Sequence, residues 1–299
     1  MTAPYTVAVL GLGAMGLPMA TRLATQLTVH GFDIAEPRLR LAEESGVQTF
    51  ESARSAVADS DALLLAVRNG EQLNEVLFGE HGVADALKPG AVVILTSTVG
   101  TEPIPAAVAR LAEFGVELVD APLSGGPKRA GEGDLLIVVG ASPTALATAR
   151  PVLELLASTL TVVGDKPGDG QALKTVNQLL CGVHIAAAAE AMALADALGL
   201  DQAKTLAALE AGAAGSFMLS NRGPRILEAY TEDGAEVLSR LDIFVKDMGI
   251  VGKATRAAGL ATPVAAAAEQ LYLLGQAQGL AAADDSAVIK VVAPVKRTS

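Results

Sequence analysis

The segment that most restricts this 299-residue chain is Gly11–Gly16, with the sequence Gly-Leu-Gly-Ala-Met-Gly. It follows a short β-rich run, Tyr5–Leu10, and opens a helix-like stretch, Pro18–Gln26. In that context each glycine has a task. Gly11 permits a tight turn, Gly13 lets the backbone approach a pyrophosphate, and Gly16 lets helix and strand pack closely. Together with Leu12, Ala14 and Met15 these residues form a candidate phosphate loop. The helix behind them offers free N–H groups and a partial positive charge. Thr28–Asp33 reads as the next strand and ends in Asp33, 22 residues beyond Gly11. A carboxylate there accepts hydrogen bonds from ribose hydroxyls and repels a 2′-phosphate. No arginine follows before Arg38, so the expected dinucleotide is NAD rather than NADP.

The rest of the first half keeps this rhythm. Asp61–Val67 and Ala91–Thr96 are continuous apolar runs, as strands buried on both faces require. Gln72–Phe78 and Glu102–Phe114 read as helices, and Val116–Asp120, Leu135–Gly140 and Thr159–Val163 as further strands. Such alternation predicts a doubly wound, mainly parallel sheet. From Gly168 the chain becomes alanine-rich and helical (Ala186–Leu198, Ala203–Ala211, Ala261–Gln278), which places a domain boundary near residue 165.

Composition removes several function classes. With 33 acidic against 22 basic residues the net charge is −11, and a nucleic acid or an anionic membrane surface would require a basic face. One cysteine and three scattered histidines supply neither a disulfide nor a zinc cluster, so no metal site is expected. The first residues lack the pattern of a secretory signal, and no apolar run reaches about 18 residues without glycine or charge. A cytoplasmic globular protein is expected.

Two further segments carry chemistry. Asp120–Gly126, Asp-Ala-Pro-Leu-Ser-Gly-Gly, ends a strand, where ligands of open α/β sheets bind. Ser124 can donate and accept hydrogen bonds, and Gly125 and Gly126 expose N–H groups able to hold a carboxylate. A purely structural turn is the competing reading. Gly168–Gln178 opens a long helix on which Lys174, Asn177 and Gln178 share one face. An amine beside two amides suits a hydroxy acid: the amine exchanges the hydroxyl proton and the amides hold other oxygens. A lone helical lysine is usually a solvated charge, but the apolar neighbours Ala172, Leu173, Val176, Leu179 and Leu180 argue against that here. His184 lies roughly 280° around the helix from Lys174, which suits a packed histidine better than a catalytic one.

These segments, together with Phe244–Gly249 (Phe-Val-Lys-Asp-Met-Gly), occur in the order found in the β-hydroxyacid dehydrogenases, and the chain resembles that family over nearly its whole length. The group includes 3-hydroxyisobutyrate dehydrogenase and tartronate semialdehyde reductase, and is related to 6-phosphogluconate dehydrogenase. The resemblance implies a Rossmann domain at residues 1–164, an all-helical domain at 165–299 and an active site in the cleft between them. It assigns catalysis to Lys174, substrate carboxylate binding to Ser124, Gly125 and Gly126, and cofactor contact to Thr98 and Lys246. Gln178 stands where many members carry asparagine, with Asn177 one residue earlier, as in tartronate semialdehyde reductases. Where members often place a proline after the fourth strand, this chain has Val67-Arg68-Asn69. Val67 and Arg68 are candidates for cofactor contact, with a solvated Arg68 as the alternative. Gln178–Ala195, Leu241–Gly249, Asp284–Lys290 and Gly31–Asp33 look most like the L-threonate dehydrogenase branch, which oxidises a four-carbon sugar acid at C2 with NAD.

The leading expectation is therefore NAD-dependent oxidation of a small anionic hydroxy acid by a homodimer or homotetramer, with L-threonate the best substrate. 3-Hydroxyisobutyrate oxidation and tartronate semialdehyde reduction are the nearest alternatives. An imine reductase would often carry Asp or Tyr in place of Lys174. A non-catalytic nucleotide-binding protein would not need Lys174, Ser124, Gly125 and Gly126 together.

Overall fold

The computed structural model describes residues 5–295 and divides after Lys174 into two compact units. In the first unit the strands are β1 (Thr6–Leu10), β2 (Thr28–Phe32), β3 (Gln48–Thr49), β4 (Ala62–Leu65), β5 (Val92–Leu95), β6 (Glu117–Asp120), β7 (Leu123–Ser124), β8 (Leu135–Gly140) and β9 (Ala157–Gly164). The helices between them are α1 (Gly16–Ala24), α2 (Glu36–Glu44), α3 (Ala53–Val57), α4 (Gly70–Phe78), α5 (Ile104–Ala112), α6 (Gly126–Glu132) and α7 (Pro143–Leu156). Strands run in the order β3-β2-β1-β4-β5-β6-β8-β7, with β9 beside β8. The first six are parallel and β8 is antiparallel to β6. Order 3-2-1-4-5-6 is that of a dinucleotide-binding sheet, whose direction reverses between β1 and β4.

The apolar runs explain the layers. Successive strand residues point to opposite faces, so each run supplies two cores. Val7, Val9, Leu64, Val92 and Ile94 join Met19 and Leu23 of α1 on one face. Ala8, Leu10, Leu63, Leu65, Val93 and Leu95 join Leu73 and Leu77 of α4 and Ile104 and Leu111 of α5 on the other. The expected strands all form, each within a residue or two of its predicted limits. The helix expected at Glu102–Phe114 is trimmed to Ile104–Ala112, because Pro103 and Pro105 confine its start.

The division between the units falls within α8 (Asp169–Ala197), a 29-residue helix. The second unit continues with α9 (Gln202–Ala211), α10 (Phe217–Glu228), α11 (Leu241–Ala257), α12 (Pro263–Ala277) and α13 (Ile289–Val292). Its core gathers Ile185, Met192, Phe244, Met248 and Tyr272. Gly182 of α8 is required there, since a Cβ at that position would sit 2.3 Å from Met248 Sδ. Two ion pairs brace the C-terminal turn: Arg222 with Asp285 at 2.7 Å, and Arg225 with Asp284 at 2.5 Å, both largely buried. Among the described residues one helix, α8, is long and apolar enough by composition to cross a membrane. Lys174, Gly182 and Glu190 interrupt that helix, so it is not the unbroken apolar run excluded above, and Ile185, Ala189 and Met192 bury it in a protein core.

Candidate active site

The glycine loop has the geometry its sequence demands. Gly11 adopts φ +90°, where an L-residue is strained. A Cβ on Gly16 would lie 1.7 Å from the Gly11 carbonyl oxygen, whereas a Cβ on Gly13 would meet nothing within 4 Å. The loop is thus closed against the protein at Gly16 and open at Gly13, where a pyrophosphate needs access. Met15 provides no side-chain cap, Leu17 N–H donates to the Gly13 carbonyl at 3.1 Å and Pro18 has no N–H, so in the first turn of α1 it is Gly16 N–H that can meet an anion. Asp33 stands at the edge of this loop. Its Oδ2 accepts from Leu12 N–H at 2.7 Å and its Oδ1 from Ala35 N–H at 2.8 Å. These residues fit a bound dinucleotide, whose nicotinamide ring supplies the hydride acceptor or donor when present.

At the ends of β4 and β5, Val67 N–H donates to Ser97 Oγ at 2.7 Å and Arg68 N–H to Gln72 Oε1 at 2.8 Å. Arg68 is exposed and Thr98 half-buried. The loop holding Thr98 is pinned by a residue to which sequence reasoning gave no role. Gln171, fully buried on the first turn of α8, accepts from Val99 N–H at 2.9 Å and Gly100 N–H at 3.0 Å. Its amide nitrogen donates to the Ser97 carbonyl at 2.9 Å and to Asp120 Oδ1 at 2.8 Å. Asp120 Oδ2 then accepts from Gly168 N–H at 2.9 Å and Gln171 N–H at 2.8 Å, which caps the start of α8. Burial pushes the Asp120 carboxyl above its usual range, while the Gln171 amide and the N–H groups of Gln171, Gly168 and Gly170 pull it back.

One turn beyond Gln171, Lys174 is only 7% exposed and its ammonium donates to Ser124 Oγ at 2.8 Å. The reason inferred for that burial needs correction. Leu173, Val176 and Leu180 are themselves 40%, 59% and 50% exposed, so they do not form an apolar wall around the lysine. Lys174 faces the other way, toward the turn after β6. In that turn Gly125 and Gly126 take φ +150° and +77°. A side chain at Gly125 would collide with Leu135, whereas Gly126 borders open space. A buried amine, a hydroxyl and two glycine N–H groups are thereby brought together, a set able to hold a carboxylate and exchange a proton with a neighbouring alcohol.

The second unit orders the remaining candidates into a chain. Asp247, 3% exposed on α11, accepts from Gln178 Nε2 at 2.5 Å and pairs with Lys246 Nζ at 3.0 Å. Asn177 Nδ2 donates to Gln178 Oε1 at 2.9 Å and lies 3.4 Å from Cys181 Sγ. His184 is half-buried on the same helix. Asp247 also escaped sequence reasoning, although its place beside Lys246 in a charged pair within an apolar helix was a usable signal. Gln171, an amide just ahead of Lys174 in an otherwise apolar stretch, gave a similar one. Among the described residues no group of three or more His, Cys, Asp or Glu is placed to hold a metal ion.

Comparison with known proteins identifies the family. Residues 6–164 match the family described as the NAD binding domain of 6-phosphogluconate dehydrogenase. Residues 168–292 match the family described as NAD-binding of NADP-dependent 3-hydroxyisobutyrate dehydrogenase. L-threonate dehydrogenase of Pectobacterium atrosepticum is 37% identical over 293 residues, which span 97% of this chain and 95% of the relative. The enzyme of the same name from Cupriavidus necator is 38% identical over 287 residues, 95% of each chain. The crystal structure of 3-hydroxyisobutyrate dehydrogenase from Salmonella typhimurium superposes with a TM-score of 0.87 at 35% identity, covering 96% of this chain and 99% of that one. A Rossmann-type unit that binds NAD(P), followed by a helical unit matched along its length, places the chain in the 3-hydroxyisobutyrate dehydrogenase-like family of hydroxyacid dehydrogenases.

Proposed function

We propose that this enzyme oxidises L-threonate to 2-oxo-tetronate with NAD. The observation that carries the catalytic part is the buried Lys174 ammonium, 2.8 Å from Ser124 Oγ beside two glycines of positive φ. In this reading Ser124 and the N–H groups of Gly125 and Gly126 hold the substrate carboxylate. The Lys174 amine accepts the hydroxyl proton as hydride leaves the carbon, and as ammonium it returns that proton to the carbonyl oxygen in reduction. Asn177 contacts a further substrate oxygen, and Gln178, whose amide is engaged by Asn177 and Asp247, supports it from behind. Thr98, Val67, Arg68 and Lys246 contribute to the cofactor side, with Gly11–Gly16 around the pyrophosphate. Asp33 favours NAD, because its carboxylate stands at the loop edge where a 2′-phosphate would add a second negative charge. The substrate choice is supported by the two L-threonate dehydrogenases above. The reading also takes residues 1–164 and 165–299 as the two domains, the cytoplasm as location, and a dimer or tetramer as the assembly. Exposed Leu194, Leu198, Leu260 and Val264 support the last point.

Two measurements test it. NADH formation is followed with L-threonate, D-threonate, the erythronates, 3-hydroxyisobutyrate and D-glycerate. A preference for L-threonate of at least about tenfold, some 1.4 kcal/mol, is expected, and a smaller one removes the substrate assignment while the hydroxyacid class stands. Lys174→Ala should bind NAD normally in calorimetry yet lose turnover by about 10²–10⁴-fold, the range of a general acid–base group. Near-normal turnover would exclude the proposed role.

A further inference from the structure

The hydrogen bonds around Gln178 have a direction, and that direction reaches a candidate substrate contact. A carboxylate only accepts hydrogen bonds, whereas an amide has one accepting and one donating end. Asp247 is held beside the Lys246 ammonium and meets Gln178 at 2.5 Å. Gln178 must therefore turn its NH₂ toward Asp247 and its carbonyl oxygen away. That oxygen, Oε1, takes a hydrogen from Asn177 Nδ2 at 2.9 Å, and the second Nδ2 hydrogen points toward Cys181 Sγ at 3.4 Å. Asn177 is half-buried while Gln178 is 8% exposed and Asp247 3% exposed. The relay thus begins at an interior charge and ends at the accessible residue, where Oδ1 is the end left to face a ligand.

We infer that Asp247 is a positioning residue that fixes the polarity of this relay, so that Asn177 presents an acceptor only. This inference rests on the hydroxyacid reading and adds a specificity to it. A substrate group opposite Asn177 must donate a hydrogen bond, so the site selects acids bearing a further hydroxyl beyond the one oxidised. A methyl or methylene in its place leaves a desolvated carbonyl oxygen unpaired, and sites built to hydrogen-bond a hydroxyl discriminate strongly against analogues that lack it. Without the carboxylate the relay loses its direction: an amide at position 247 can donate or accept, and both orientations of Gln178 and Asn177 become available.

The test compares kcat/KM for L-threonate and for 2-hydroxybutanoate of matching C2 configuration, which lacks both outer hydroxyls, in the wild type, Asp247→Asn and Asn177→Ala. Asp247→Asn preserves shape, and Asn177→Ala acts at the accessible end of the relay. Wild type should prefer threonate, and both variants should reduce the preference ratio by about tenfold or more. General damage to the fold, or a displaced Lys246, lowers both rates together and leaves the ratio alone. A ratio unchanged in both variants therefore overturns the inference. A wild type that oxidises both acids equally also overturns it and leaves the hydroxyacid reading intact. A wild type inactive on every hydroxy acid refutes that reading, and the inference with it. Side-chain amide resonances of the ¹⁵N-labelled enzyme give a check independent of turnover. The Gln178 NH₂ signal should lie downfield, as expected beside a carboxylate, and move upfield in Asp247→Asn. An unmoved signal rejects the relay.

Discussion

Replacing Gln171 by leucine removes four hydrogen-bonding contacts at nearly constant volume, and the structure permits an estimate of the consequence. The N–H groups of Val99 and Gly100 lose their shared acceptor, while the Ser97 carbonyl and Asp120 Oδ1 lose a donor. Asp120 keeps the N–H groups of Gly168 and Gln171 on its other oxygen, so the main loss is two buried donors without partners. Each costs about 1–3 kcal/mol. Burying leucine in place of an amide recovers about 1 kcal/mol or so, roughly one buried methylene's worth. The expected net destabilisation is about 3 kcal/mol. With a urea slope of about 1–3 kcal/mol per molar, the unfolding midpoint should fall by roughly 1 M or more. The same change frees the loop carrying Thr98 and the first turn of α8 ahead of Lys174, so KM for the dinucleotide should rise and kcat should fall. A destabilisation below about 1 kcal/mol, with unchanged kinetics, would refute the view that Gln171 holds this corner of the first unit together.

Gln171→Glu makes the same point through pH. A carboxyl buried beside Asp120 has its pKa raised above the unfolded value of about 4.3. It is neutral and least harmful below that value, and stability should fall as pH rises through the interval up to the raised pKa. Denaturant midpoints measured from pH 4 to pH 8 should diverge progressively from those of the wild type, and parallel curves would contradict the argument. Asp33→Asn removes the negative charge at the loop edge, and the ratio of kcat/KM with NADP to that with NAD should rise by at least about tenfold, since like-charge juxtaposition costs several kcal/mol; an unchanged ratio would place cofactor choice elsewhere. Arg225→Met leaves Asp284 buried with the N–H groups of Leu238, Ser239 and Ser286 as its remaining hydrogen-bond partners among the described residues. Thermal and urea unfolding should show a loss of about 3 kcal/mol, the lower end for breaking a buried ion pair.

Much of this protein is written locally. Gly11, Gly13 and Gly16 state backbone requirements that no other residue meets, and their spacing is readable without any partner. The parallel sheet is equally legible, because strands buried on both faces must be continuously apolar. The helices of the second unit were less so. Phe217–Glu228 contains Gly223 and Pro224, which read as breakers, yet Gly223 is where Leu206 packs, since a Cβ there would lie 2.4 Å from its Cδ1. In the first unit, the helix Pro143–Leu156 likewise carries Pro151 within its length.

The candidate site divides along the same line. Lys174, Ser124, Gly125 and Gly126 were found as residue types suited to an acid alcohol, but that Lys174 meets Ser124, 50 residues away, is decided by tertiary structure. So are the bonds from Gln171 to Asp120, Ser97, Val99 and Gly100, at separations of 51 to 74 residues, and the bond from Gln178 to Asp247 at 69. A polar side chain in a sequence announces only what it can donate or accept. Which partner meets it, and so which end it turns outward, depends on burial that deprives it of water and leaves one arrangement satisfied.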